Sequence, residues 1–217
     1  LAVLEQSAEN GVVYSETFLS PDFCGGGDVA AWRDYPAAIE DAAADAERTM
    51  GITLKGIIAC IRHFGPEQAK TAALCAAETK GDFITGFGMA GAELVGRPGD
   101  YAYSFDMARE AGLRITCHAG EWGDAAMVAD TLRDLSPERI GHGINAIQDL
   151  ALVDRLAESG DFLEVCPGSN VFSGALPSWK DNPLPPSQRR AVKRPVSAGT
   201  PPLFPPPTAH HLTHHAD

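Results

Sequence analysis

The sequence predicts an α/β fold, a TIM-type (β/α)8 barrel in incomplete form. Three observations carry this. Short apolar runs alternate with longer amphipathic ones over residues 1–176. Strands alternating with helices imply a parallel sheet. Polar residues close successive runs: Glu16, His118, His142, then Glu164 and Ser169, and barrel enzymes build their sites at such strand ends. The chain has 217 residues, short of the roughly 250 of a closed eight-unit barrel.

The elements follow in order. Residues 11–18 read as a strand. Residues 28–50 are alanine-rich and read as one helix. Residues 52–61 are β-branched and apolar, a buried strand. Pro66 suits the first turn of a helix running to about Lys80. Strands are expected at 83–87, 113–118, 139–142 and 162–166. Helices are expected at 101–110, 124–135 and 148–159, the last with Gly160 as its C-terminal cap. An open, doubly wound sheet is the other closure, but it should carry a glycine-rich phosphate turn. Gly25-Gly26-Gly27 lacks the GxGxxG spacing and reads as a structural loop.

After residue 176 the texture changes. Repeated proline, including Pro201, Pro202 and Pro205 to Pro207, removes backbone donors and fixes φ. Residues 1–176 are therefore expected to form the barrel domain. Residues 177–217 are expected to be a proline-rich tail, disordered or translated in a shifted frame.

Composition narrows the function classes. Hydrophobic residues make up 44% and charged residues 21%, ordinary for a globular protein. The formal net charge of −12 disfavours a nucleic-acid partner, which needs a basic footprint. A small molecule fits it better. Five cysteines, none in a CxxC pair, argue for reduced thiols in a cytoplasmic protein rather than a disulfide framework. Neither a leader nor an apolar run able to span a bilayer is legible. The sequence assigns no oligomeric state.

Four short motifs carry chemistry. Cys117-His118-Ala119-Gly120-Glu121 puts an imidazole and an acid on one tight turn. Imidazole is a common zinc ligand, and an unliganded carboxylate can shuttle protons. Arg139-Ile140-Gly141-His142-Gly143 flanks a histidine with glycines, a group able to steady a metal-bound hydroxide. Glu164-Val165-Cys166-Pro167-Gly168-Ser169-Asn170 follows an apolar strand, and its Ser and Asn can position a ligand or cap the next helix. Gly86-Phe87-Gly88-Met89-Ala90-Gly91-Ala92-Glu93 lets a ligand lie against backbone. Each alone is equally a strand-end turn with satisfied polar groups. No GxSxG elbow is present. A thiol beside a carboxylate, as at Cys166, makes a poor nucleophile.

Taken together, in this order, the motifs resemble those of the adenosine deaminase family of the amidohydrolase superfamily, from about Gly11 to Trp179. The resemblance implies a zinc cofactor, with His118 as a ligand. It implies Glu121 as proton shuttle, His142 as the group orienting the zinc-bound hydroxide, and Gly91 as a backbone contact to the purine. The implied reaction is hydrolysis of adenosine to inosine and ammonia in purine salvage. Adenine deaminase and a non-catalytic purine-binding protein are the alternatives. The chain lacks the family's His-x-His pair, and residues 197–204 place Gly199 and Thr200 where the family has two aspartates. It is therefore expected to start after the family's first strand and helix, to have a degraded eighth strand, and to be inactive as it stands. The tail histidines His210, His211, His214 and His215 are not assigned as native ligands, because a catalytic site needs groups on rigid elements.

Overall fold

The computed structural model describes residues 1–182 and Val192. Their order is α1 (Ala2–Glu9), β1 (Tyr14–Leu19), α2 (Val29–Trp32), α3 (Asp34–Met50), β2 (Thr53–Ile61), α4 (Pro66–Thr79), β3 (Ile84–Ala90), α5 (Ala102–Glu110), β4 (Arg114–Ala119), α6 (Ala125–Leu135), β5 (Arg139–His142), α7 (Leu150–Ser159), β6 (Phe162–Glu164) and α8 (Pro167–Phe172). The strands neighbour one another in chain order, β1-β2-β3-β4-β5-β6. β1 and β2, β2 and β3, and β5 and β6 pair in parallel. A doubly wound sheet reverses its strand order at a switch point. This order does not reverse, so the barrel wall is the closure these strands follow. The fold class is an incomplete (β/α)8 barrel.

By packing, the chain divides into Leu1–Thr116 and a second unit beginning at Cys117. In the first unit the centre is β2, whose last six residues are buried. Helix α4 turns an alanine face inward (Ala69, Ala72, Ala73 and Ala76, with Cys75). Small residues there leave room for Trp32, which is fully buried and donates from Nε1 to Thr79 Oγ1 at 3.0 Å. A smaller cluster of Leu4, Ala46 and Ile52 holds α1 against α3. In the second unit Val128, Ile140, Leu152, Val153, Leu156, Leu163 and Val165 form the core, with Leu176 and Val192 buried in the same cluster.

The local signals explain most boundaries. Asp124 caps α6 by accepting from Met127 N–H at 3.1 Å. Asp149 caps α7 by accepting from Ala151 N–H and Leu152 N–H. Both satisfy donors that a helix start leaves orphaned. Gly160 ends α7 in the left-handed conformation, φ 76°, and Pro66 opens α4, both as expected.

Some boundaries differ. The expected helix 28–50 is two helices that break at Arg33. Pro36 is the cause: it has no N–H to offer the carbonyl of Trp32, and its ring would clash there. The first strand starts at Tyr14 rather than residue 11, because Val12 N–H turns back to Ser7 O at 3.0 Å. The last strand stops at Glu164, and Pro167 starts α8 at its first turn. Ser169 and Asn170 lie inside that helix and do not cap it. Gly25, Gly26 and Gly27 all have positive φ. A Cβ on Gly27 would lie 2.8 Å from Thr71 Cγ2, so this loop is a packing device. Within the expected tail, Trp179–Asp181 form a 3-10 turn and Val192 is buried. The expected eighth-strand segment 197–204 and the tail histidines lie outside the described residues.

Candidate active site

The second unit gathers three of the four residues expected to act. His118 is on β4, Glu121 is on the turn after it, and His142 ends β5. The His118 and His142 rings stand edge to face with centroids 5.0 Å apart. Glu121 Oε2 lies 3.4 Å from His142 Nε2. Gly91 belongs to the first unit, just past the end of β3, with φ 98°.

Backbone geometry makes this cluster possible. The strand ends are tied together: Gly143 N–H donates to Ala119 O at 3.1 Å, and Asn145 N–H to Gly120 O at 2.9 Å. Asn145 Nδ2 also donates to Glu121 O and Gly123 O, which fixes the turn that carries the acid. Gly141 is required by close approach, since a Cβ there would meet the His118 ring, with Nε2 at 3.0 Å. The glycine before His142 therefore makes room for the other histidine, not for His142 itself. His142 has φ 64°, a left-handed conformation uncommon for a residue with a side chain. Such strain costs about 1–3 kcal/mol and clusters at working sites.

Two further residues complete the arrangement. Asn170 is fully buried on α8, and its Oδ1 lies 2.6 Å from His142 Nδ1. Arg139 Nη1 pairs with Glu164 Oε1 at 3.1 Å across the β5–β6 pair. The sequence offered Asn170 only as a motif member. Nothing local shows that a helix folds it back onto a histidine 28 positions earlier.

The electrostatics favour a neutral His118. Burial, with the neighbouring His142 second, pushes its pKa down to about 3. His118 as a whole is half-buried, but its surroundings cannot solvate the charged form. A neutral imidazole has a lone pair for a metal. A catalytic zinc takes about three protein ligands plus water. Among the described residues no group of three or more His, Cys, Asp or Glu is placed to hold a metal ion. His118 fits one corner of such a site, and the described residues alone do not complete it.

In the first unit the strand ends are built differently. Arg62, 1% exposed, donates from Nε to Val95 O at 2.8 Å, and Tyr101 OH donates to Arg62 O at 2.6 Å. Beside Gly91, Ala92 N–H donates to His63 Nδ1 at 3.2 Å. A Cβ on Gly91 would lie 2.9 Å from that nitrogen. All five cysteines are thiols. Burial, with Asp22 next, pushes Cys75 up to about 11, which makes it unreactive.

Residues 1–216 match the family model described as adenosine deaminase. The chain belongs to the adenosine deaminase family. It is 43% identical over 202 residues to an adenine deaminase from Agrobacterium fabrum, covering 93% of this chain and 62% of that protein. The chain thus spans somewhat under two thirds of the curated relatives it matches. Among solved structures it resembles an adenine deaminase from Arthrobacter aurescens, with TM-score 0.83 and 31% identity over 91% of this chain and 60% of that one. It also resembles an amidohydrolase from Burkholderia ambifaria with bound Zn, with TM-score 0.81 and 26% identity over 97% and 57%. The family membership and fold class expected from the motifs are borne out. The expected substrate is not the one in these relatives' names.

Proposed function

We propose that this chain is part of a hydrolytic purine deaminase whose substrate is adenine. The reaction takes adenine and water to hypoxanthine and ammonia. Two relatives, one of them 43% identical, are named adenine deaminases. That favours adenine over the adenosine first expected from the motifs. The observation that carries the chemistry is the contact of His142 Nε2 with Glu121 Oε2 at 3.4 Å, beside the His118 ring.

In this reading the Glu121 carboxyl gives a proton to N1 of the purine ring as a water oxygen bonds to C6. One of that water's protons goes to the C6 amine, which leaves as ammonia as the C6–N bond breaks, and the other returns to the Glu121 carboxylate. His142 orients the attacking oxygen, with Nε2 as acceptor. Gly91 enters the proposal only as the backbone contact to the purine that the family resemblance implies. Such positioned acid–base groups contribute on the order of 10²–10⁴ in rate. Zinc is part of the proposal, supported by the relative with bound Zn, with His118 as the ligand that the described residues offer. The thiol state of the cysteines supports a cytoplasmic setting. No helix among the described residues is long and apolar enough to cross a membrane.

The test offers adenine and adenosine separately to the purified chain with zinc salt and separates the products by chromatography. Any turnover this chain retains is expected to give hypoxanthine from adenine, with little inosine from adenosine. Inosine formed while adenine is untouched overturns it. Adenine binding by calorimetry with no turnover of either purine supports the non-catalytic purine-binding reading instead.

A further inference from the structure

We propose that Asn170 is a positioning residue for His142: it fixes the proton on Nδ1 and leaves the Nε2 lone pair aimed toward Glu121. The catalytic use of that lone pair rests on the deaminase reading above. The tautomer itself does not.

His142 is 5% exposed and Asn170 fully buried, so water cannot compete for their contact. The Oδ1–Nδ1 distance is 2.6 Å, at the short end for a hydrogen bond. An amide oxygen only accepts, so Nδ1 must carry the hydrogen. A neutral ring then has its lone pair on Nε2, the atom 3.4 Å from Glu121 Oε2. Which ring nitrogen holds the proton is set by the bond the other makes.

Asn170 is itself anchored. Its N–H donates to Cys166 O at 2.9 Å, and its own carbonyl accepts from Leu176 N–H at 2.8 Å. The amide thus stands on a fixed post. It faces a histidine whose backbone sits at φ 64°, a conformation that needs outside support. A purely structural asparagine would be expected to use both ends of its amide. Here Nδ2 is buried and has no hydrogen-bond partner among the described residues. Leaving a buried donor unmet is unfavourable, and the group is kept at that cost while Oδ1 serves the histidine. The flipped amide makes the opposite statement: Nδ2 would donate to Nδ1, and the ring proton would move to Nε2.

The experiment labels the histidines of the full chain with nitrogen-15 and records long-range proton–nitrogen correlations at neutral pH. His142 is assigned by the signals lost in His142→Gln. The expected wild-type pattern is the Nδ1–H tautomer. Asn170→Leu, of similar volume with no acceptor, should shift the ring to Nε2–H or to a mixture, and Asn170→Asp should keep Nδ1–H. Wild-type Nε2–H, a doubly protonated ring, or an unchanged Nδ1–H pattern in Asn170→Leu each overturns the proposal. If Asn170→Leu does not fold, the wild-type and Asn170→Asp patterns decide it. Where adenine turnover is measurable, Asn170→Leu should lower kcat by about tenfold or more with KM within about twofold. Absent wild-type turnover counts against the deaminase reading, while the tautomer still answers for Asn170.

Discussion

The two units use buried polar groups in opposite ways. In Leu1–Thr116 the polar groups at the strand ends bond to main chain: Arg62 to Val95 O, and Tyr101 to Arg62 O. In the second unit the strand-end groups face one another: Glu121, His142 and Asn170 form a chain of side chains. A side chain tied to a carbonyl stabilises a loop. A side chain tied to another ionisable side chain can exchange a proton with it. The difference suggests that substitutions in the first unit should read mainly as stability, and those in the second mainly as chemistry.

The largest expected effect is Trp32→Ala. It empties the space between α2 and α4 and should cost about 3–5 kcal/mol, read as a lower urea midpoint. Tyr101→Phe deletes one donor to a buried carbonyl and should cost about 1–3 kcal/mol by the same titration. Normal stability in both would break the comparison from the first side.

The pH dependence of stability tests the second unit. The folded pKa of His118 lies near 3, against an ordinary 6.5. Between those values the unfolded chain binds a proton that the folded one refuses, so stability falls as pH drops from about 6.5 toward about 3 and levels off below. His118→Gln should flatten that part of the difference curve, followed as Tm against pH. An identical slope in the variant would mean that His118 is not held neutral.

The smallest stability effect is expected for His142→Asn. Asparagine tolerates the left-handed backbone, and the remaining cost is that of the buried Asn170 Oδ1 losing its partner, about 1 kcal/mol by urea titration. Any adenine turnover should be lost. A large destabilisation with turnover retained would place His142 among the structural groups and erase the contrast between the units.

Much of this was legible in the sequence because its causes are local. Pro66, Gly160 and the apolar runs set helix starts, helix ends and strands. The motifs carried the identities of His118, Glu121 and His142. Other features were not legible, because their causes are long-range. Gly141 looked like freedom for His142, but its missing side chain makes room for the His118 ring, from a strand some twenty residues earlier. Asn170 looked like a helix cap, but it lies inside α8 and reaches a histidine on β5.

The sequence by itself determined the alternation of strands and helices, the family, and which side chains are present to move protons. Those depend on local backbone preference and on residue identity. Only the tertiary structure decided the order of the strands, the left-handed turn at His142 and the proton-directing bond from Asn170. Those depend on which strand ends lie side by side, and that is set by packing between residues far apart in the chain.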